Sequence, residues 1–231
     1  MANTTDVTGR HYPDSGQNTD PPYLHPDYKS TIKKSPQRPL VALEHSVTEL
    51  SGPAFEAGEA GENDLTVQGD AMPLGERIDI QGRILDEEGN AYAGALVEMW
   101  QANASGKYRH INDGREAPLD ENFIGAGRCV TDAEGWYSFR SIRPGPYPVP
   151  GGWWRPAHLH FSVTGPSVVT RLITQMYFPG DPLLEDDPIF HSIADDAARE
   201  ALIGKFDLTL GEPSVSLGYR FDMVLRGQAA G

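Results

Sequence analysis

A chain of 231 residues can bury one substantial hydrophobic core. Its 33 acidic and 19 basic residues leave a formal charge of −14, which repels phosphate backbones and anionic lipid surfaces, so neither nucleic acid nor a membrane is expected as a partner. The lone cysteine, Cys129, excludes an internal disulfide and a thiolate metal cluster, and no stretch approaches the roughly 18 consecutive apolar residues of a membrane span, so a cytoplasmic protein is expected.

Residues 1–39 carry Pro13, Pro21, Pro22, Pro26, Pro36 and Pro39 among polar residues, which disfavours both helix and central strand. We therefore expect an extended N-terminal arm over 1–39 and a single domain over 40–231. The segment from Leu40 to Leu50 is ambiguous between strand and helix, and SGPAFEAGEAGEND reads as an acidic loop. The runs ERIDIQGRILD and ALVEMWQAN, separated by the turn EEGN, read most simply as two antiparallel strands. RCVTD, the turn DAEG, WYSFRSI, AHLHFSV, VVTRLITQMYF and YRFDMVLRG continue the pattern. Six or more short strands so spaced predict an all-β sandwich or barrel. DDAAREALIGKF, with Asp195 and Asp196 at its start and Gly204 and Lys205 at its end, predicts one short peripheral helix.

The segment WRPAHLHFSV places His158 and His160 two apart in a strand, hence on one face, with Leu159 and Phe161 on the other. Two imidazoles on one face suit a metal ion, although packed or hydrogen-bonded histidines give the same pattern. Without a cysteine cluster, further ligands would be carboxylates, other histidines or phenols. Tyr147 lies in RPGPYPVPGG, where flanking prolines restrict the loop that presents it; an aromatic plug beneath that loop fits the local sequence equally well. Tyr108 stands in the polar loop QANASGKYRHINDG, where His110 is a competing ligand.

The succession LVEMWQAN, GKYRH, PLDENFIGAGR, TDAEGWYSFRSIRPGPYP, WRPAHLHFSV, LITQMYFPGDPL and YRFDMVLRG resembles the intradiol ring-cleaving dioxygenases, specifically their protocatechuate-cleaving β subunits. The likeness runs from HPDYKSTIKKSPQRPL to the C-terminus. It implies a β-sandwich and a non-haem Fe(III) held by Tyr108, Tyr147, His158 and His160. It also implies that Arg155 lies over the reacting ring and that Trp100, Gln175, Tyr28 and Ile189 line the substrate pocket. The implied reaction is cleavage of protocatechuate with O2, in which Tyr147 leaves the iron and takes a substrate proton. The implied partner is a homologous α subunit lacking the iron ligands, within a larger αβ hetero-oligomer.

Two departures from the family pattern concern loop shape: YPVPGGWWRPAH has Val149 where a tryptophan is usual, and it is two residues shorter. The Pro-rich arm, in place of a helical dimerisation region, favours protocatechuate over catechol or hydroxyquinol, while a sulfonated catechol is a further alternative. A different class of reading is a non-catalytic β-sandwich binding module.

Overall fold

The computed structural model describes residues 63–67, 69–165 and 171–225, together with Leu24, Ile32 and Ser35. Strand β1 (Arg77–Leu85) buries Ile78, Ile80, Gly82 and Ile84 on one face, as its period of two predicts. It pairs antiparallel with β4 (Trp136–Ile142) on one side. On the other side it pairs in parallel with β10 (Leu217–Arg220) and then β11 (Met223–Val224). The sheet ends at β9 (Lys205–Phe206), paired with β10. The second sheet has the order β3 (Ala126–Val130), β2 (Leu96–Trp100), β7 (His158–Thr164), β8 (Leu172–Tyr177). Between β4 and β7 a separate hairpin pairs β5 (Tyr147–Val149) with β6 (Trp153–Arg155).

The two sheets face each other across one core to which both contribute, including Ile78, Ile80 and Phe139 from the first and Val97, Leu159 and Phe161 from the second. This is the all-β sandwich. Two details of the sequence reading are corrected. β1 and β2 do not pair; they belong to opposite sheets, and the connection between them crosses the sandwich. The turn itself forms, with the Asp86 carboxylate accepting from the backbone N–H groups of Glu88 and Asn90, but a turn sequence does not specify whether its flanking strands share a sheet. In the predicted last strand, the chain breaks between β10 and β11 around Phe221, whose carbonyl lies where a side chain on Gly82 would project.

The helix is shorter than DDAAREALIGKF. It spans Asp196–Glu200, is capped by the Asp195 carboxylate on the Ala198 N–H and buries no residue. Its continuation tightens through Leu202 and Ile203 and then joins the sheets, the Tyr177 N–H donating to the Leu202 carbonyl and the Gly204 N–H to the Tyr177 carbonyl. A Cβ on Gly204 would meet the end of the Met176 side chain, which would have to shift. In the arm, Ile32 is helical, a local departure from the extended reading in the proline-free stretch between Pro26 and Pro36. The acidic stretch before Asn63 lies outside the described residues, as does the boundary at residue 40.

Candidate functional site

His158 and His160 stand on β7, hydrogen-bonded to β8 through His158↔Tyr177 and His160↔Gln175 and to β2 through Trp100↔His160. Leu159 and Phe161 point into the core, so both imidazoles project outward from the sandwich, with ring centroids 4.8 Å apart. The Trp100 indole stacks on His160 at 5.1 Å and 3°, fixing that ring from one side. His158 Nδ1 lies 2.7 Å from the Pro156 carbonyl. That acceptor requires the proton on Nδ1 and leaves the Nε2 lone pair directed into the site. Burial first, then Arg155 and His160, pushes the His158 pKa well below the usual histidine value, while burial and Arg155 bring His160 down to about 3. Both rings are neutral near pH 7.

The phenols arrive from the loop that carries Tyr108 and from the start of β5, and the backbone around 103–106 touches that of 145–146. Gly145 N–H donates to the Asn103 carbonyl at 2.9 Å. A Cβ on Gly106 would lie 2.4 Å from the Pro146 carbonyl oxygen, and one on Gly145 2.3 Å from that of Ala104. Glycine at both positions permits this approach, and Gly106 also adopts a φ of 76°. Tyr108 and Tyr147 consequently meet edge to face at 5.6 Å. Tyr147 Oη lies 3.3 Å from His158 Nε2, and Tyr108 Oη lies 3.0 Å from His160 Nε2. Each oxygen–nitrogen pair is close enough to share one ion. Among the described residues no three His, Cys, Asp or Glu form a metal cluster; the convergent set is two imidazoles with two phenols. Neutral imidazoles and ionisable phenols suit a hard, highly charged cation, so the donor set fits ferric iron.

Arg155 pairs with Tyr147 across the β5–β6 hairpin and is fully buried. Its Nε donates to Asp187 Oδ2 at 3.2 Å, and its Nη2 donates to Gln175 Oε1 at 2.5 Å and Tyr177 Oη at 3.1 Å. Burial raises the Tyr177 pKa above the ordinary phenol value, so its hydroxyl stays protonated and donates to Gln175 Oε1 at 2.9 Å. Gln175 and Tyr177 thus anchor the arginine, one strand away from the imidazoles.

The predicted residues divide as follows. Tyr108, Tyr147, His158 and His160 come together, with Trp100, Arg155 and Gln175 around them. Ile189 is half-buried, two residues from Asp187, whose Oδ1 accepts its N–H at 2.9 Å. Tyr28 lies outside the described residues. His110 is exposed, its Nδ1 accepting the Asn112 N–H in a local turn, and it is not part of the cluster. Sequence reasoning missed Asp187, Tyr177, Asp113 and Arg115. Asp187, buried completely, sits in LLEDDPIF, where its neighbours make it look like one more solvated acid. Tyr177 had a readable signal, since it lies on the same strand face as Gln175, two residues away.

A model of the family described as "Dioxygenase" matches residues 50–227, and one described as "Protocatechuate 3,4-dioxygenase beta subunit N terminal" matches residues 12–46. The chain is 48% identical over 240 residues to a protocatechuate 3,4-dioxygenase beta chain from Burkholderia cepacia, covering 100% of this chain and 98% of that one. It belongs to the intradiol ring-cleaving dioxygenase family. It is accordingly an enzyme, a dioxygenase. More distant members include catechol 1,2-dioxygenase 2 of Acinetobacter lwoffii, 34% identical over 67% of this chain and 56% of that one, so this chain spans just over half of that relative. Among solved intradiol structures, chlorocatechol 1,2-dioxygenase from Pseudomonas putida superposes with a TM-score of 0.55 at 27% identity, covering 76% of this chain and 70% of that one. No helix among the described residues is long and apolar enough to cross a membrane.

Proposed function

We propose that this intradiol dioxygenase is the iron-bearing β subunit of a protocatechuate 3,4-dioxygenase, cleaving protocatechuate with O2 to 3-carboxy-cis,cis-muconate in aromatic catabolism. The observation that supports this best is the convergence of two phenols and two neutral imidazoles beside a buried arginine, in a chain that aligns end to end with a protocatechuate 3,4-dioxygenase beta chain.

In this reading Tyr108, Tyr147, His158 and His160 hold one Fe(III). Bound there, the ion supplies Lewis acidity and a template that makes a chelated catechol electron-rich enough to react with O2. The two phenolates favour the trivalent state and offset most of its charge, which lowers the cost of burying it. Tyr147 Oη accepts a proton from a catechol hydroxyl. Arg155, already oriented by Asp187, Gln175 and Tyr177, stabilises negative charge that develops on the substrate ring without reorganising. Trp100 walls the pocket behind His160, while Tyr28, Gln175 and Ile189 line it. The partner is a homologous α subunit without iron ligands in a larger αβ assembly in the cytoplasm. The arm over 1–39 is an attachment to a sandwich domain over 40–231.

Oxygen uptake by the chain coexpressed with its α partner tests the reading across protocatechuate, catechol and hydroxyquinol. We expect turnover of protocatechuate well above the other two, with about one iron per β chain and a visible phenolate-to-iron absorption band. A preference for either alternative substrate overturns the substrate assignment, and zinc or colourless iron-free protein overturns the centre.

A further inference from the structure

Arg115 lies outside the four-residue cluster yet its guanidinium carbon sits 4.3 Å from the centre of the Tyr147 ring and 6.0 Å from that of Tyr108. A long arginine stem on a polar loop would ordinarily sample solvent, but this one is locked. Its Nε donates to Asp113 Oδ1 at 2.7 Å, and its Nη2 donates to Asp113 Oδ2, a two-point contact that fixes the plane of the fork. Asp113 is itself held. Its Oδ2 accepts the Tyr108 N–H at 2.9 Å, its carbonyl accepts from Lys107 Nζ at 2.7 Å, and Lys107 also donates to the Arg115 carbonyl. One carboxylate therefore ties the backbone of one phenol to the cation lying over the ring of the other.

Such a device has a mechanical purpose here. Strand β5 has three residues and, among the described residues, pairs only with β6, so within them it is bracketed along one edge and not along both, as β2 and β8 bracket the histidines. A delocalised cation over an aromatic face attracts it, more strongly when the ring is electron-rich. We propose that Arg115 is a positioning residue that, locked by Asp113, sets the orientation of the Tyr147 ring relative to Tyr108 and the two imidazoles. In this role it acts through the Tyr147 ring. The proposal rests on the reading that Tyr147 is an iron ligand which moves in turnover.

The test uses the coexpressed αβ enzyme loaded with Fe(III), comparing wild type with Arg115→Ala, Arg115→Met and Arg115→Lys. Five quantities are measured: iron per chain, the visible band per iron, kcat and KM for protocatechuate, and the melting temperature. We expect Arg115→Ala and Arg115→Met to keep iron within about twofold, to shift the visible band, and to lower kcat about threefold to tenfold with KM nearly constant. That fold-change is what a partly exposed cation–π contact supplies. Arg115→Lys, which keeps the charge without the planar fork, should recover part of the loss. A wild-type band and kcat in Arg115→Ala overturn the proposal while leaving the iron centre standing. It is equally overturned if the loss of kcat merely tracks lost iron or a lower melting temperature with a normal band per iron. A colourless wild type fails the parent reading and this one together.

Discussion

The imidazole half and the phenol half of the site are built on different principles. His158 and His160 ride on a strand hydrogen-bonded along both edges, backed by the core residues Leu159 and Phe161 and by the Trp100 stack. Tyr108 and Tyr147 stand on a loop and a three-residue strand, held by two glycine contacts and the Lys107–Asp113–Arg115 cluster. Although burial alone would raise it, bonds from Arg115 and from the backbone N–H groups of Tyr108 and Arg115 hold the Asp113 pKa well below the carboxylate range. The Asp113 carboxylate is therefore ionised at neutral pH. Under the proposed function this difference makes the phenols the ligands freer to move, because Tyr108 stands on a loop and Tyr147 on a short strand paired with β6 alone among the described residues, whereas the histidine strand is paired along both edges.

The largest effect is expected from removing one proposed ligand from each half. His158→Ala should weaken iron binding by more than about a hundredfold, beyond what losing a mere supporting partner of a ligand costs. Tyr147→Phe should retain much of its iron with an altered visible band. Iron analysis and spectra showing equal loss in both variants would erase the distinction.

Next in size is the anchor between the halves. Asp187→Ala leaves Arg155 buried without its carboxylate and should destabilise the protein by about 3–5 kcal/mol in urea titration. Arg155→Met with Asp187→Leu should restore much of that stability while leaving turnover low and iron content near wild type. Recovery of turnover in the double variant would remove Arg155 from the chemistry.

Gly106→Ala should cost at least about 1–3 kcal/mol, because the left-handed backbone and the Pro146 carbonyl both oppose a side chain. Hydrogen exchange should then quicken around 103–108 and 145–147 while β7 stays protected. Uniform quickening would show that the two halves are one cooperative unit.

The smallest effect is with pH. His160 titrates near 3 in the fold and near 6.5 when unfolded, so below about 6.5 the unfolded chain binds a proton that the native chain does not. Stability contributed by the neutral ring is present above 6.5 and is lost as pH falls towards 3. Melting of the metal-free protein at pH 7 and pH 5 should show a smaller drop for His160→Gln than for wild type.

Much of the architecture was legible because a strand's period of two is written locally. Ile78, Ile80 and Ile84 announced β1, and His158 and His160 with Leu159 between them announced a strand with a polar outer face. The hairpin β5–β6 was not legible, since the prolines around Tyr147 read as loop and only pairing with Trp153–Arg155 makes it a strand. The sheet exchange between β1 and β2 was hidden for the same reason, because strand partners are chosen by long-range packing.

From its own residues the chain determined an all-β fold, a metal-suited pair of histidines on one strand face, and an acidic, cysteine-poor surface that excludes nucleic acid and thiolate metals as expectations. Its ordered motifs also carried the family. Only the folded chain settles that Tyr108 and Tyr147, 39 residues apart in sequence, bring their rings to 5.6 Å, that Arg155 is paired with Asp187, and that Arg115 caps the Tyr147 ring. Periodicity is a property of neighbouring residues, whereas convergence of distant side chains depends on how the two sheets close over one core.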